Sequence, residues 1–514
     1  MSPKAGRKDR AEPPFASPAK GVYLPLTPRL RWTMLTRRKT PNSAERRHML
    51  TEGPILQALI RLSLPIVLAN ALQALYQLVD TFWVGRVGDV AVAAVSVSLP
   101  IWFTLTAAAG GLAVVGTTFV AQYMGARNEK MVNHTVGQIH ILVLAASVVV
   151  ATGGYFAANP ILRLMGVDGA VFGPAGDYMR ITFLGIVFQF LYFVFQSVLR
   201  GVGEVRFPLY VVALTVVLNC VLDPLFIFGW GPVPPMGVAG AALATISTQG
   251  VSALIGIMAL TFGWFDLKIR WRDLRPDWPF LRKAVAIGLP ASLEQSMRGL
   301  SMTAMTFLVA VFGTSTLAVY GVGTRIFSFI VIPGIGLGAA TAALVGQCVG
   351  AGKLERARDA ARKSAVVALG LVTPIGILVF IFAPEIVAFF VPGETEVIRE
   401  GAYMVRLNAF FFGTLSAQQA LAGAFRGAGD TMGAMLLTLI SVWAVRVPLA
   451  YVLSHLTDLG AEGLWWAFPA TNLFGFFFAG LWFLKRRWWD KRVTETDRRV
   501  EETREELVSE RGTE

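Results

Sequence analysis

One long stretch of this chain occurs twice. Residues from about Leu62 to Ala126 return from about Ile287 to Ala351 at a constant offset of 225 with no gap. The matched anchors are Pro65 with Pro290, Gly88 with Gly313, Ala93 with Ala318, Gly111 with Gly336, Gln122 with Gln347, Gly125 with Gly350 and Ala126 with Ala351. Farther on, Arg200-Gly201-Val202-Gly203-Glu204 is echoed by Arg426-Gly427-Ala428-Gly429-Asp430 at an offset of 226, so the duplication runs through most of each half. A chain repeated in this way is constrained to build two similar bundles.

Lipid is the solvent those bundles fit. Hydrophobic residues make up 54% of the 514, charged ones only 15%, and the mean hydropathy is +0.58, outside the range of soluble domains. Apolar runs long enough to cross roughly 30 Å of hydrocarbon as helix recur near residues 60–85, 91–116, 135–157, 176–199, 207–229, 238–262, 285–310, 317–345, 364–388, 401–425, 432–453 and 463–484. The expected fold is an all-α integral membrane protein with about twelve transmembrane helices in two pseudo-symmetric six-helix lobes. The expected division is a disordered basic cytoplasmic tail at 1–48, an N-lobe at 49–265, a cytoplasmic linker at 266–284, a C-lobe at 285–488 and a charged cytoplasmic tail at 489–514. Two cysteines, Cys220 and Cys348, fall in or near spans and read as packing residues, not as a disulfide framework or thiol metal site.

A formal net charge of +13 would suit nucleic acid, but the positions of the charges exclude it. Arg127 and Lys130, Arg200 and Arg206, Lys268 to Lys283, Lys353 to Lys363, Arg426, and Lys485 to Arg492 all fall in even-numbered connections or at the ends. The odd connections are neutral or acidic, as in Gly231 to Gly237 and Glu394-Thr395-Glu396. This is the positive-inside pattern with both termini cytoplasmic, in the cell membrane. An even number of spans per half gives the two copies one orientation, related by an axis along the membrane normal.

A carboxylate in hydrocarbon costs several kcal/mol unless it is paired, hydrated or neutralised, so acids within spans carry most of the functional information. Asn70, Gln73, Gln77 and Asp80 on the first span are spaced by three, four and three, which places them on one helical face. In the fifth span Asn219 and Asp223 are one turn apart, and Pro224 frees backbone carbonyls in the preceding turn. The sixth span offers Thr245 and, one turn earlier, the backbone of Ala241. These hard oxygen donors suit Na⁺, and two close carboxylates equally suit one shared proton. Glu294 and Arg298, four apart on the seventh span, are spaced for an intrahelical ion pair or a coupling role. In the second half, Met305 stands opposite Asp80, and Val447-Pro448 replaces Asp223-Pro224, which confines the ion chemistry to the first half. The C-lobe is left to supply cavity wall from Gln295, Asn408, Gln418, Gln419 and the run Phe410 to Phe412.

At Leu64-Pro65 and Leu78-Val79-Asp80-Thr81-Phe82-Trp83-Val84-Gly85 the chain resembles the MATE family of multidrug and toxic compound extrusion transporters. The resemblance continues at Val120-Ala121-Gln122-Tyr123-Met124-Gly125-Ala126, at both Arg-Gly-x-Gly-acid loops, at Gly237 to Ala242 and at Arg446-Val447-Pro448-Leu449-Ala450, and it covers about residues 50 to 485. It implies two six-helix lobes in a V around a central cavity, and export of amphipathic, often cationic, compounds by Na⁺ or H⁺ antiport with alternating access. In the branch it resembles most, the cation site uses the positions matched by Asp80, Asn219, Asp223 and Thr245. Another branch uses a seventh-span Glu and a tenth-span Asp, and the tenth span here, Ala402 to Phe425, holds no acid. The candidate cavity residues are Asn70, Gln73, Gln77, Glu294, Gln295, Arg298 and Asn408. No cofactor beyond the coupling ion is expected, the partners are small organic molecules and the bilayer, and the protein reads as a monomer and not an enzyme. The alternatives are a lipid-linked oligosaccharide flippase, which would line its cavity with basic residues such as Arg298, Arg325 and Arg446, and a membrane enzyme handling lipids. The enzyme would need convergent His, Cys or acids, whereas His48, His134, His140 and His455 are scattered.

Overall fold

The computed structural model describes residues 43–485 apart from Asp168, together with residues 488–490 and 492–494. Residues 1–42 of the expected first tail and 495–514 of the second lie outside the described residues. The protein is an all-α membrane protein. Its helices in chain order are α1 Ser43–Thr51, α2 Ile55–Gly85, α3 Asp89–Gly125, α4 Glu129–Leu164, α5 Phe172–Gly201, α6 Arg206–Phe228 and α7 Gly237–Thr261. The second half has α8 Trp278–Ala310, α9 Thr314–Gly350, α10 Leu354–Ile381, α11 Ala383–Phe390, α12 Thr395–Ala409 and α13 Phe412–Ala428. It ends with α14 Thr431–Leu439, a π-helical turn Ile440–Arg446, α15 Val447–His455 and α16 Ala461–Lys485.

Among the described residues, ten helices are long and apolar enough to cross a membrane. The seventh and tenth expected spans fall outside that set for reasons that bear on function. Helix α8 carries Glu294 and Arg298 in its middle, and the tenth span is broken at Phe410 and Phe411 into α12 and α13, of 15 and 17 residues. The helix junctions repeat with the sequence. Gly88 (φ 130°) and Gly313 (φ 100°) each start the second span of a lobe in a conformation that a side chain would strain.

The division expected from the sequence differs from the packing. The start of α2, from Ile55 to Ile66, packs in one apolar core with Ala340 to Val349 of α9 and Leu421 to Ala428 of α13, which belong to the second half. Reciprocally, Phe280 and Ala284 at the start of α8 join Val115, Phe119 and Tyr123 of α3 in the core of the first half. Each lobe's first helix thus roots in the opposite lobe. Gly111 makes room for Ser292, and its repeat partner Gly336 makes room for Val67, itself 225 residues before Ser292; added Cβ atoms would lie 2.1 and 2.5 Å from those side chains.

These shared cores lie toward the basic ends of the helices, the side expected from the charge pattern to be the inner one. The cores at the other ends stay within one lobe: Val84 to Ala242 in the first, Met305 to Phe468 and Val322 to Phe412 in the second. At these basic ends α3 and α9 cross closely, and a Cβ on Gly350 would sit 1.9 Å from the Gln122 carbonyl oxygen, one on Gly125 2.1 Å from that of Gln347. Gln122 Nε2 donates to the Gly427 carbonyl (3.1 Å) and Gln347 Nε2 to that of Gly201 (2.8 Å), so each lobe supplies a donor to a helix C-terminus of the other. The apolar cores that join the lobes therefore lie at these expected inner ends, and the cores at the opposite ends belong to one lobe each.

Two boundaries move. Residues 43–48, expected in the disordered tail, belong to α1, which lies across both halves. Arg46 is buried, 3.7 Å from Glu204 and hydrogen-bonded to the Phe265 carbonyl. Burial pulls its guanidinium below the ordinary arginine value, and Glu204 opposes that. Arg356 of α10 donates to the carbonyls of Leu50 and Gly53. The second expected tail begins by docking: Val493 N–H donates to Gln122 Oε1 (2.9 Å), and the last C-lobe residue, Trp488, stacks on Phe483. Of the expected linker, residues from Trp278 onward are already helix. Cys348 is buried as expected of a packing residue, whereas Cys220 on α6 is exposed.

Candidate functional site

Helices α2, α6 and α7 bring the first-half polar groups together. Asn219 and Asp223, one turn apart on α6, are fully buried, and Asn219 Nδ2 donates to Asp223 Oδ1 (2.8 Å). Asp80 on α2 lies within electrostatic range of Asp223, although the two are 143 residues apart in the chain. Three oxygens remain buried without a protein hydrogen-bond partner: Asp80 Oδ1, Asn219 Oδ1 and Asp223 Oδ2. Among the described residues neither aspartate forms an ion pair with a base. Buried oxygens of this kind are destabilising unless a cation, proton or water satisfies them. The donor set of two carboxylates and a carboxamide fits Na⁺ or a proton.

Two further residues border this group. Tyr76 is buried on α2 and its hydroxyl lies 3.1 Å from Thr248 Oγ1, within reach of Thr245 as well. Thr248 Oγ1 also donates to the Thr245 carbonyl (2.8 Å). Neither Tyr76 nor Thr248 was singled out above, yet both were readable: Tyr76 precedes Asp80 by four residues and Thr248 follows Thr245 by three. Thr245 is partly buried and Ala241 is buried on the same helix. Of the expected stripe on α2, Asn70 and Gln73 are partly buried and Gln77 is exposed.

The second half gathers charge of the opposite sign. Glu294 is fully buried, with Oε1 2.9 Å from Arg298 Nη2, 3.5 Å from Arg426 Nη1 and 3.3 Å from Thr438 Oγ1. The i,i+4 pair is therefore part of a larger cluster spanning α8, α13 and α14. Arg426 could be assigned to the cluster only in three dimensions, because its motif reads as a cytoplasmic loop. Asn408 is likewise buried, and its Nδ2 donates to the Met404 carbonyl of its own helix. Gln295 is partly buried, its amide facing Gly110 of α3 across the lobe boundary.

A family model described as MatE matches residues 65–225 and again residues 290–452. The chain belongs to the MATE family. Both matched segments start at the paired prolines Pro65 and Pro290, so the family unit is the repeat itself. The chain is 32% identical over 417 residues to the probable multidrug resistance protein YoeA of Bacillus subtilis, covering 79% of this chain and 88% of that one. It is 28% identical over 453 residues to the probable multidrug resistance protein NorM of Thermotoga maritima, covering 87% and 96%. A solved structure described as the outward-facing conformation of a multidrug resistance MATE family transporter superposes with a TM-score of 0.79 at 26% identity, covering 85% of this chain and 96% of that one.

Proposed function

We propose that this MATE protein is a secondary active multidrug exporter and not an enzyme, moving amphipathic compounds out of the cell by antiport with Na⁺ or H⁺, with both termini in the cytoplasm. The observation that carries the reading is the trio of buried, unpartnered oxygens on Asp80, Asn219 and Asp223. A cation or proton arriving from outside would bind there and neutralise the carboxylates, which removes their mutual repulsion and their demand for water. That change favours a different packing of α2, whose Pro65 provides a bend point and whose first turns are rooted in the opposite lobe. Movement of α2 therefore bears directly on the inner crossing. Ion and cargo must differ in affinity for the two arrangements, otherwise no coupling arises.

The test is reconstitution in liposomes with Na⁺ and pH gradients imposed separately while a fluorescent organic cation is followed. Asp80→Asn and Asp223→Asn should each abolish gradient-dependent flux while the protein still inserts. Full activity in both variants would defeat the proposal.

A further inference from the structure

The two halves share a backbone plan but invert its charge. Gln73 on α2 is matched, 225 residues later, by Arg298 on α8, and Asp80 by Met305. Where the fifth span has Asp223 one position before Pro224, the eleventh has Arg446 two positions before Pro448. Arg446 closes the π-helical turn Ile440–Arg446; such turns inside α-helices are frequent at functional sites.

The charges do not balance among these groups. Arg298 and Arg426 share the single carboxylate Glu294, and Arg446, within electrostatic range of Arg298, brings a third guanidinium with no carboxylate of its own. Among the described residues no carboxylate pairs with Arg446. Its Nη2 lies 3.3 Å from Asn472 Oδ1 and its guanidinium 4.9 Å from the Phe468 ring, with Tyr320 nearby. On both Arg298 and Arg446 the Nε is buried without a partner, while the Arg298 side chain keeps 28% of its surface exposed. A guanidinium at membrane depth without a counter-charge is destabilising, and its planar fork matches a carboxylate or phosphate.

We propose that Arg298 and Arg446 form a seat for an anionic group, carboxylate or phosphate, on the transported molecule. The cargo would then be an acid-bearing amphiphile, with the coupling ion held in one lobe and the cargo's anion in the other. This rests on the exporter reading above for the word cargo, but the seat itself can be tested by binding alone.

The full-length protein is placed in nanodiscs of pure phosphatidylcholine and titrated with two fluorescent amphiphiles identical except that one bears a carboxylate and the other its methyl ester. The wild type should bind the carboxylate at least about tenfold more tightly, inorganic phosphate should compete with that preference, Arg446→Gln should bring the ratio close to one, and Arg446→Lys should restore part of it. Equal affinity for both probes in the wild type, or an undiminished ratio in Arg446→Gln, overturns the seat. Repeating the titration with phosphatidylglycerol in the nanodisc separates the sources: abolition of the preference assigns the seat to a lipid phosphate and overturns the cargo assignment. In liposomes, gradient-driven flux of both probes without discrimination removes the seat and leaves the exporter reading. Carboxylate preference in binding with no gradient-driven flux does the reverse.

Discussion

Replacing Gln122 with methionine, of similar volume but without the amide, should loosen the inner crossing by an amount that follows from the structure. Gln122 is fully buried; its Nε2 donates to the Gly427 carbonyl and its Oε1 accepts from Val493 N–H. Gly427 lies in the last turn of α13, where carbonyls have no partner within the helix. Without the amide that carbonyl is left buried and unpaired, at about 1–3 kcal/mol. The penalty applies only while the lobes are closed at the inner side, because water reaches the carbonyl once they part. The population open to the cytoplasm should therefore rise about 5- to 150-fold.

The chain supplies its own reporter. It has two cysteines, so Cys220→Ser leaves Cys348 as the sole thiol, fully buried beside Gln347 with its Sγ 3.7 Å from the Leu50 carbonyl of α1. When reclosing outruns labelling, the rate of modification by a membrane-impermeant maleimide follows the open fraction. Gln122→Met should accelerate Cys348 labelling by the factor above. Gln347→Met, which removes the matching donation to Gly201, should act in the same direction. Unchanged labelling in both variants would refute the inner latch.

Glu294→Gln leaves Arg298 and Arg426 without their buried carboxylate, so the variant should lose about 3–5 kcal/mol; an unchanged thermal midpoint in detergent would count against the cluster. Gly350→Ala places a methyl carbon 1.9 Å from the Gln122 carbonyl oxygen and should open the inner crossing further than Gln122→Met, whereas Gly370→Ala, with nothing within 4 Å, should label like the wild type. Lys353, 2.9 Å from Glu52, holds that carboxyl below the usual glutamate range, first by its hydrogen bond and then by its charge. Because the folded pKa is depressed, the stabilisation is present above the unfolded glutamate pKa and fades as pH falls through the lowered folded value. The small difference in thermal midpoint between wild type and Glu52→Gln should accordingly vanish at strongly acid pH, and its persistence there would exclude the pair as its source.

The membrane fold, the spans and the duplication were legible because each is a sum over neighbouring residues: hydropathy over about 20 positions and identity at a fixed offset. The acids Asp80 and Asp223 were legible for the same reason, since a charge within an apolar run stands out without knowledge of its neighbours. Their companionship was not. Asp80 meets Asp223 through the packing of α2 on α6, and Glu294 meets Arg426 across 132 residues.

What the sequence alone determined, then, was two copies of a six-span unit in lipid and the presence of costly groups inside it. Tertiary structure decided which of those groups satisfy one another. It placed Glu294 at the centre of a basic cluster, drew α1 out of the expected tail, and rooted each lobe's first helix in the other. The physical reason is that hydrophobic periodicity tells a helix which face to bury but not against which partner, and that choice depends on the shapes of both surfaces at once.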